Sequence, residues 1–285
     1  STRWIQLENC PGMLQQADIY RFPDLVDGAR KVGEWSVYFG DIHTHSGQVL
    51  DACENKGCGM GTRRSNYEYA RGPGGLDFYA LTDHEYQVDR NTSHDYLALA
   101  EEYEDSGRFV CLPAYEFTSL IYGHRNAYFR APGGTVVNSN RGGGPPTLDP
   151  ALSVTPRELW AQLGATGIPF MTIPHHPSST SHPCNIGIFD ERYDRAMEVY
   201  SVWGSSEYYG DTPRGVSDRY RTLDLRDAIR RGYHFGMVAG ADGHDGHPGN
   251  AQSPLNKHHH QFHFCGSGRT AVLPHELTRE EVFDA

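Results

Sequence analysis

The sequence has no long hydrophobic run and a deficit of positive charge. No stretch approaches the roughly 18 consecutive apolar residues of a membrane-spanning helix. Lysine and arginine together number 25 against 36 aspartates and glutamates, which gives a net charge of -11. A protein that wraps a nucleic-acid backbone needs a surplus of basic residues. We therefore expect neither a membrane nor a nucleic acid as a partner, although a small basic pocket would leave nucleic acid open as a substrate.

The sequence also lacks the cysteine pairs that bind structural zinc. Its six cysteines are scattered and form no CxxC pair, so the spacing does not predict a thiolate metal site. Cys53 and Cys58 are close enough for a small disulfide in an oxidising compartment, and ordinary thiols are the alternative. The Gly-rich phosphate loop of nucleotide kinases and the GxSxG motif of serine hydrolases are absent as well.

The given sequence leaves the compartment of the protein open. The chain starts at Ser1 with neither an initiator methionine nor a signal-peptide core, so we expect a processed or trimmed start. We expect a soluble protein, either cytoplasmic or exported to the periplasm or beyond after processing. The last helical pattern runs to Ala285 without a cap, which favours a chain that lacks a further element.

Strand and helix patterns alternate along the 285 residues. Short apolar or β-branched runs predict eight strands, at 35–39, 78–81, 109–112, 126–129, 169–173, 196–202, 235–239 and 270–273. Amphipathic patterns predict helices at 96–103, 156–163, 223–231 and 279–285. Thr155-Pro-Arg-Glu158 has the pattern of a helix-capping box. The alternation favours an α/β barrel with parallel strands, as one domain over 1–285 with an N-terminal extension at 1–34 and long loops at 48–64, 131–150 and 205–220.

Histidine is abundant, at 16 residues, and half of these residues lie with carboxylates at or just beyond the ends of predicted strands. One such histidine is more often a hydrogen-bonded or surface group than a ligand. Several of them at the ends of parallel strands would converge on the rim where barrel active sites are built. Imidazole and carboxylate groups are common ligands of Zn, Mn and Fe. Asp41 and Asp83, each next to such a residue, are expected to orient imidazole rings rather than to bind metal.

The order of these motifs resembles that of the PHP superfamily, named for polymerases and histidinol phosphatases. The motifs are Gly-Asp-Ile-His43-Thr-His45, Leu-Thr-Asp-His84, Tyr-Glu116, Pro-His-His176-Pro and Ala-Asp242-Gly-His244. The Gly-His-Arg-Asn and Leu-Thr-Arg-Glu segments look like those of an uncharacterised stand-alone branch of that superfamily. The resemblance implies a distorted (β/α)7 barrel that holds two or three divalent ions, Zn, Mn or Fe, at the C-terminal rim of the strands.

Carried over by position, the resemblance implies three sets of metal ligands. His43, His45 and Asp242 would hold one ion, and Glu116 would bridge it to a second. His124 and His176 resemble the remaining ligands of the second ion, although His175 is the alternative to His176. The third set is Asp51, His84 and His244. Asp51 stands where many members have histidine, which favours an oxygen-preferring or mixed-metal site.

Such a site suits hydrolysis, because a water shared by two ions about 3.5–4 Å apart becomes a hydroxide nucleophile near neutral pH. The leaving group needs a proton, for which His247 or whichever of His175 and His176 is not a ligand is the candidate. Arg125 would either bind a phosphate oxygen or form an ion pair at the rim. We expect a phosphoesterase that acts on a small-molecule mono- or diester or a related anionic substrate. The alternatives are a sulfate-ester or amide hydrolase, a PHP-type exonuclease, and a non-catalytic metal-binding module.

Overall fold

The computed structural model describes residues 31–32, 35–47, 57–89, 91–179, 184–208, 224–250 and 268–285. Over these ranges the chain is a mixed α/β structure with twelve short strands and five α-helices. The strands are β1 (Lys31–Val32), β2 (Trp35–Ser36), β3 (Tyr38–Asp41), β4 (Phe78–Tyr79), β5 (Val110–Cys111), β6 (Ala114–Ser119), β7 (Gly123–Phe129), β8 (Phe170–Pro174), β9 (Ala196–Ser201), β10 (Gly204–Ser205), β11 (Gly236–Ala239) and β12 (Thr270–Val272). The helices are α1 (Arg63–Arg71), α2 (Ser93–Tyr103), α3 (Pro156–Gly164), α4 (Leu225–Arg230) and α5 (Arg279–Asp284).

The described strands pair into four sheets. One has the order β12-β3-β4-β5, in which β3, β4 and β5 are parallel and β12 is antiparallel to β3. A second, β6-β7-β8, is antiparallel, and a third, β10-β9-β11, contains the parallel pair β9 and β11. Strands β1 and β2 form the fourth. The predicted mixed α/β class is confirmed, whereas the strands of the described ranges do not close into one continuous barrel.

Isolated parallel bridges connect the three larger sheets. The bridges pair Thr44 with Gly243, His84 with Glu116, and Thr172 with Asp194. Two of the three bridges involve or adjoin predicted metal ligands. The bridges at Thr44 and His84 therefore bring distant segments together at the place where the sequence predicts the site.

The β6–β7 pair departs from the parallel arrangement that the sequence predicted. Only residues 120–122 separate the two strands, and a parallel connection needs a crossover of about a dozen residues or more. The two strands therefore pair antiparallel, with Glu116 opposite Asn126 and Thr118 opposite His124. Because alternate residues of a strand share a face, this pairing brings Glu116 and His124 to one side of the sheet.

Helix α3 begins as its capping pattern predicts. The Thr155 hydroxyl accepts the Glu158 N–H at 3.3 Å, and the Glu158 carboxylate accepts the Thr155 N–H at 2.8 Å. The helix buries Leu159, Trp160 and Leu163. These side chains join the largest apolar cluster, which also includes residues of α1, α2, β6 and β7. This packing supports the strands whose ends carry the candidate ligands.

Helix α1 was not predicted. Its buried residues are Arg63, Asn66, Tyr67 and Ala70, so only two positions of its inner face are apolar. The sequence pattern for an amphipathic helix is therefore weak, although Thr62 caps the helix by accepting the Ser65 N–H. No helix among the described residues is long and apolar enough to cross a membrane. The single-domain boundaries stay a prediction.

Candidate metal centre

His43 and His45 lie just after β3 and point into a buried cluster with Glu116 and Asp242. The His45 N–H donates to the Gly243 carbonyl at 2.8 Å, which holds this segment against the end of β11. The Nε2 atom of His43 lies 3.5 Å from Glu116 Oε2 and 3.5 Å from Asp242 Oδ1. The Nε2 atom of His45 lies 3.1 and 3.2 Å from the same two oxygens. Two imidazole nitrogens and two carboxylate oxygens thus surround one point.

The spacing of these four atoms fits a metal ion. Around a tetrahedral zinc ion with bonds of about 2.1 Å, neighbouring ligand atoms are about 3.4 Å apart, and the N···O distances here are 3.1–3.5 Å. Burial opposes ionisation of Glu116 and Asp242, but the histidines around them outweigh it and hold the pKa of both carboxyls well below the usual range. Both side chains are therefore anionic and suited to bind a cation.

Glu116 divides its two oxygens between two groups of histidines. Oε2 faces His43 and His45, whereas Oε1 lies 2.6 Å from His124 Nδ1 and 3.4 Å from His175 Nε2. A carboxylate that bridges two ions offers one oxygen to each. The contacts of Glu116 are those expected of such a bridge.

His124, His175 and His176 form a second convergent group, with one nitrogen of each ring within 4.8 Å of the others. His176 has a φ of 32° and Asp242 a φ of 48°, and they are the two non-glycine residues with positive φ in the described part of the chain. Such a backbone conformation costs about 1–3 kcal/mol and persists only where the surroundings impose it. Both strained residues belong to the candidate site.

A third group contains His84 and His244, as predicted, together with His45 and Cys58. Asp51, the other predicted member of this set, lies outside the described residues, as does Cys53. The sequence analysis missed Cys58 because a single cysteine with no CxxC partner gives no spacing signal. The two glycines that flank it, Gly57 and Gly59, were the only local sign of an unusual backbone.

Glu198 is a further site residue that the sequence analysis did not find. Its Oε2 atom lies 2.9 Å from His43 Nδ1, and both side chains are buried. The predicted orienting residues do something else. Asp41 accepts backbone N–H groups, including that of His43, and Asp83 accepts from Ser46 and Arg63. Glu198, rather than either aspartate, therefore orients the His43 ring.

The predicted catalytic residues occupy different places. His175 is fully buried in the cluster, and burial together with His43 lowers the pKa of His175 to about 4. His247 lies outside these three groups, and its Nδ1 atom is 3.7 Å from Asp245 Oδ2. Arg125 contacts Asp194 at 3.3 Å and two backbone carbonyls with its guanidinium. Of the two roles that the sequence left open for Arg125, these contacts correspond to the ion pair.

A cavity of about 170 Å³ opens onto the centre. The candidate ligands that line it are Cys58, His84, Glu116, His124, His176, Asp242 and His244. Two aromatic residues, Tyr86 and Trp203, also line it. The cavity is smaller than the roughly 300 Å³ or more of typical small-molecule sites. It therefore has room for one small chemical group rather than for a whole small-molecule ligand.

Comparisons with known proteins found no matching family model and no matching curated protein. Among solved structures, the chain is similar to PsfC from Pseudomonas syringae PB-5123, at 16% identity over 74% of this chain and 78% of that one, with a TM-score of 0.43. It is also similar to Endonuclease Q in complex with a 27-mer duplex containing an abasic lesion (14% identity, TM-score 0.39) and to the lesion-specific endonuclease PfuEndoQ from Pyrococcus furiosus (16% identity, TM-score 0.41). Each of these two matches covers 74% of this chain and about half of the endonuclease, 50% and 49%.

Proposed function

We propose that this protein is a multinuclear metal-dependent hydrolase of phosphate esters. The observation that carries the proposal is the position of Glu116, with one oxygen facing His43 and His45 and the other facing His124 and His175. Asp242 completes the first group. Two or three divalent ions, of Zn, Mn or Fe, suit these nitrogen and oxygen ligands. When bound, such ions supply a water nucleophile and charge stabilisation for displacement at phosphorus.

The protein's own residues then bind and orient the ester and protonate its leaving group. His175 Nε2 lies 3.4 Å from Glu116 Oε1, and His175 converges with His43 and Glu116 as well as with His124 and His176, whereas His176 lines the cavity. These contacts favour His175 as the ligand, the reverse of the assignment that the family resemblance implies. Burial and the neighbouring His175 and His124 hold the pKa of His176 well below its usual range, so His176 serves as the proton donor only when the negative charge of a bound ester raises that pKa. Replacing the ligand should lower the bound metal content, whereas replacing the proton donor should lower the rate and leave the metal content unchanged.

The PHP-type barrel is part of the proposal. The parallel bridges Thr44–Gly243, His84–Glu116 and Thr172–Asp194 support it, because they connect the three larger sheets. A distorted barrel of this kind would place all three groups of ligands at one rim.

A nuclease is the second candidate. Two of the similar solved structures are described as endonucleases, one of them as lesion-specific and the other in complex with a duplex that carries an abasic lesion, and a nucleic acid offers the same phosphodiester centre as a small diester. The proposal itself does not rest on that likeness. The net charge of -11 is a property of the whole chain. At the metal centre itself, bound cations would dominate the local electrostatic potential, so the acidic net charge does not exclude a nucleic-acid substrate.

The test is metal analysis of protein purified without chelators, followed by a panel of chromogenic phosphate mono-, di- and triesters, sulfate esters and phosphonates, and a DNA duplex with an abasic site. We expect more than one metal equivalent per chain and turnover of at least one phosphoester. Asp242→Asn should abolish turnover. His234→Ala should not, since the His234 side chain is 87% exposed and outside the site. Less than about one equivalent of metal, or full activity in Asp242→Asn, would contradict the proposal.

A further inference from the structure

The group around Cys58 has the composition of a thiolate metal site. Ligand atoms of Cys58, His45, His84 and His244 all lie within 4.8 Å of one another. His45 already faces the carboxylates of the first group through Nε2. The other three side chains are one thiol and two imidazoles, and His84 also contacts Glu116 Oε1 through Nδ1 at 3.3 Å.

The backbone around Cys58 is built to bring its thiol to this position. The Gly57 N–H donates to the Gly47 carbonyl at 2.8 Å, and the Gly59 N–H donates to the Ser46 carbonyl at 3.0 Å. A Cβ atom on Gly59 would collide with the His45 carbonyl oxygen. Only glycine permits so close an approach. The two glycines therefore hold Cys58 against the segment that carries His45.

The two imidazoles of the group are held in the way typical of metal ligands. The Nδ1 atom of His244 lies 2.8 Å from the Asp242 carbonyl oxygen, and Nδ1 of His84 lies 2.6 Å from Thr118 Oγ1. Metal-binding histidines usually donate their second ring nitrogen to a carbonyl, a carboxylate or water, which fixes the ring and presents the other nitrogen to the ion. Nε2 is that other nitrogen in both rings.

We propose that Cys58, His84 and His244 bind one ion of the centre through a thiolate and two imidazoles. The inference rests on the proposed function, since it concerns one position of the same metal centre. A thiolate favours zinc or another thiophilic ion over Mn²⁺ and Mg²⁺. The thiol proton is released when the ion binds. The centre would then combine one sulfur-containing position with nitrogen and oxygen positions around Glu116.

The first test uses cobalt-substituted protein, in which a cobalt–thiolate bond gives a charge-transfer band in the near ultraviolet. Cys58→Ser should remove this band and lower the bound metal by about one equivalent. Cys111→Ala is the matched control, because Cys111 is fully buried and belongs to none of the convergent groups. A band of unchanged intensity in Cys58→Ser would overturn the proposal.

The second test uses the unaltered protein, so that it does not depend on the folding of a variant. Metal-free protein is treated with iodoacetamide with and without added zinc, and alkylation of the Cys58 peptide is followed by mass spectrometry. We expect zinc to slow the reaction at Cys58 by at least about tenfold. An unchanged rate would contradict thiolate ligation. If the band and the protection are present but no ester is hydrolysed, the proposed function fails while this inference stands. If an ester is hydrolysed but the band and the protection are absent, this inference fails while the proposed function stands.

Discussion

Replacement of Glu198 tests whether a buried carboxylate tunes the metal affinity of His43. Glu198 Oε2 lies 2.9 Å from His43 Nδ1. Burial raises the pKa of Glu198 to about 6 although His43 lowers it, so the side chain is anionic at neutral pH. A Cβ atom on Gly240 would collide with this carboxylate, which shows how closely the pair is enclosed. Glu198→Gln keeps the size of the side chain and an acceptor oxygen but removes the charge.

The expected loss follows from the role of such a partner. Removing the group that orients a metal-binding histidine costs about 10- to 100-fold in metal affinity, which equals about 1.4–2.7 kcal/mol. Because glutamine can still accept the His43 N–H, we expect Glu198→Gln to lower the metal affinity by about tenfold. Glu198→Ala also removes the hydrogen-bond acceptor that orients the ring, and we expect it to lower the metal affinity by about 100-fold.

The assay is competition for zinc with a chromophoric chelator at neutral pH, with circular dichroism to confirm folding. Glu191→Gln is the matched control, because the Glu191 side chain is 60% exposed and contacts only the exposed His234 in the described structure. If folded Glu198→Gln and Glu198→Ala both bind zinc within about threefold of the unaltered protein, then His43 either does not bind metal or is oriented by another group.

Three further outcomes are expected. Gly59→Ala should lower the zinc content at the Cys58 group, measured by metal analysis, because the added Cβ collides with the His45 carbonyl; unchanged content would contradict this. Thr155→Ala should lower the free energy of unfolding by about 1 kcal/mol through loss of the helix cap, measured by urea denaturation, with metal content unaffected. Burial lowers the pKa of His43, but the carboxylates around it outweigh burial and raise the pKa to about 10. The resulting stabilisation of the metal-free protein should be complete below pH 6.5, the ordinary pKa of histidine, and should be lost as the pH rises through about 10. Urea denaturation with a chelator present measures the free energy of unfolding across this range, and a free energy that does not fall would contradict the prediction.

The sequence predicted best those features whose atoms lie close together along the chain. His43 and His45 alternate on an extended segment, so the two rings must point to one side wherever that segment lies. The capping box at Thr155 is confirmed for the same reason, because all its atoms belong to four consecutive residues. The predicted ligands His84, Glu116, His124, Asp242 and His244 also fall within the convergent groups.

The order and chemical types of the candidate ligands were thus readable from the sequence, whereas tertiary structure decided which side chains contact them. The contact between His43 and Glu198 spans 155 residues, and no local pattern marks a glutamate in the middle of a strand as its partner. Cys58 joins the centre only because two flanking glycines let its loop approach His45. The three-residue link at 120–122 forces a hairpin where the alternation predicted a parallel strand. Residue type and spacing determine which atoms can bind a metal, but only the packing of strands brings such atoms within bonding distance of one point.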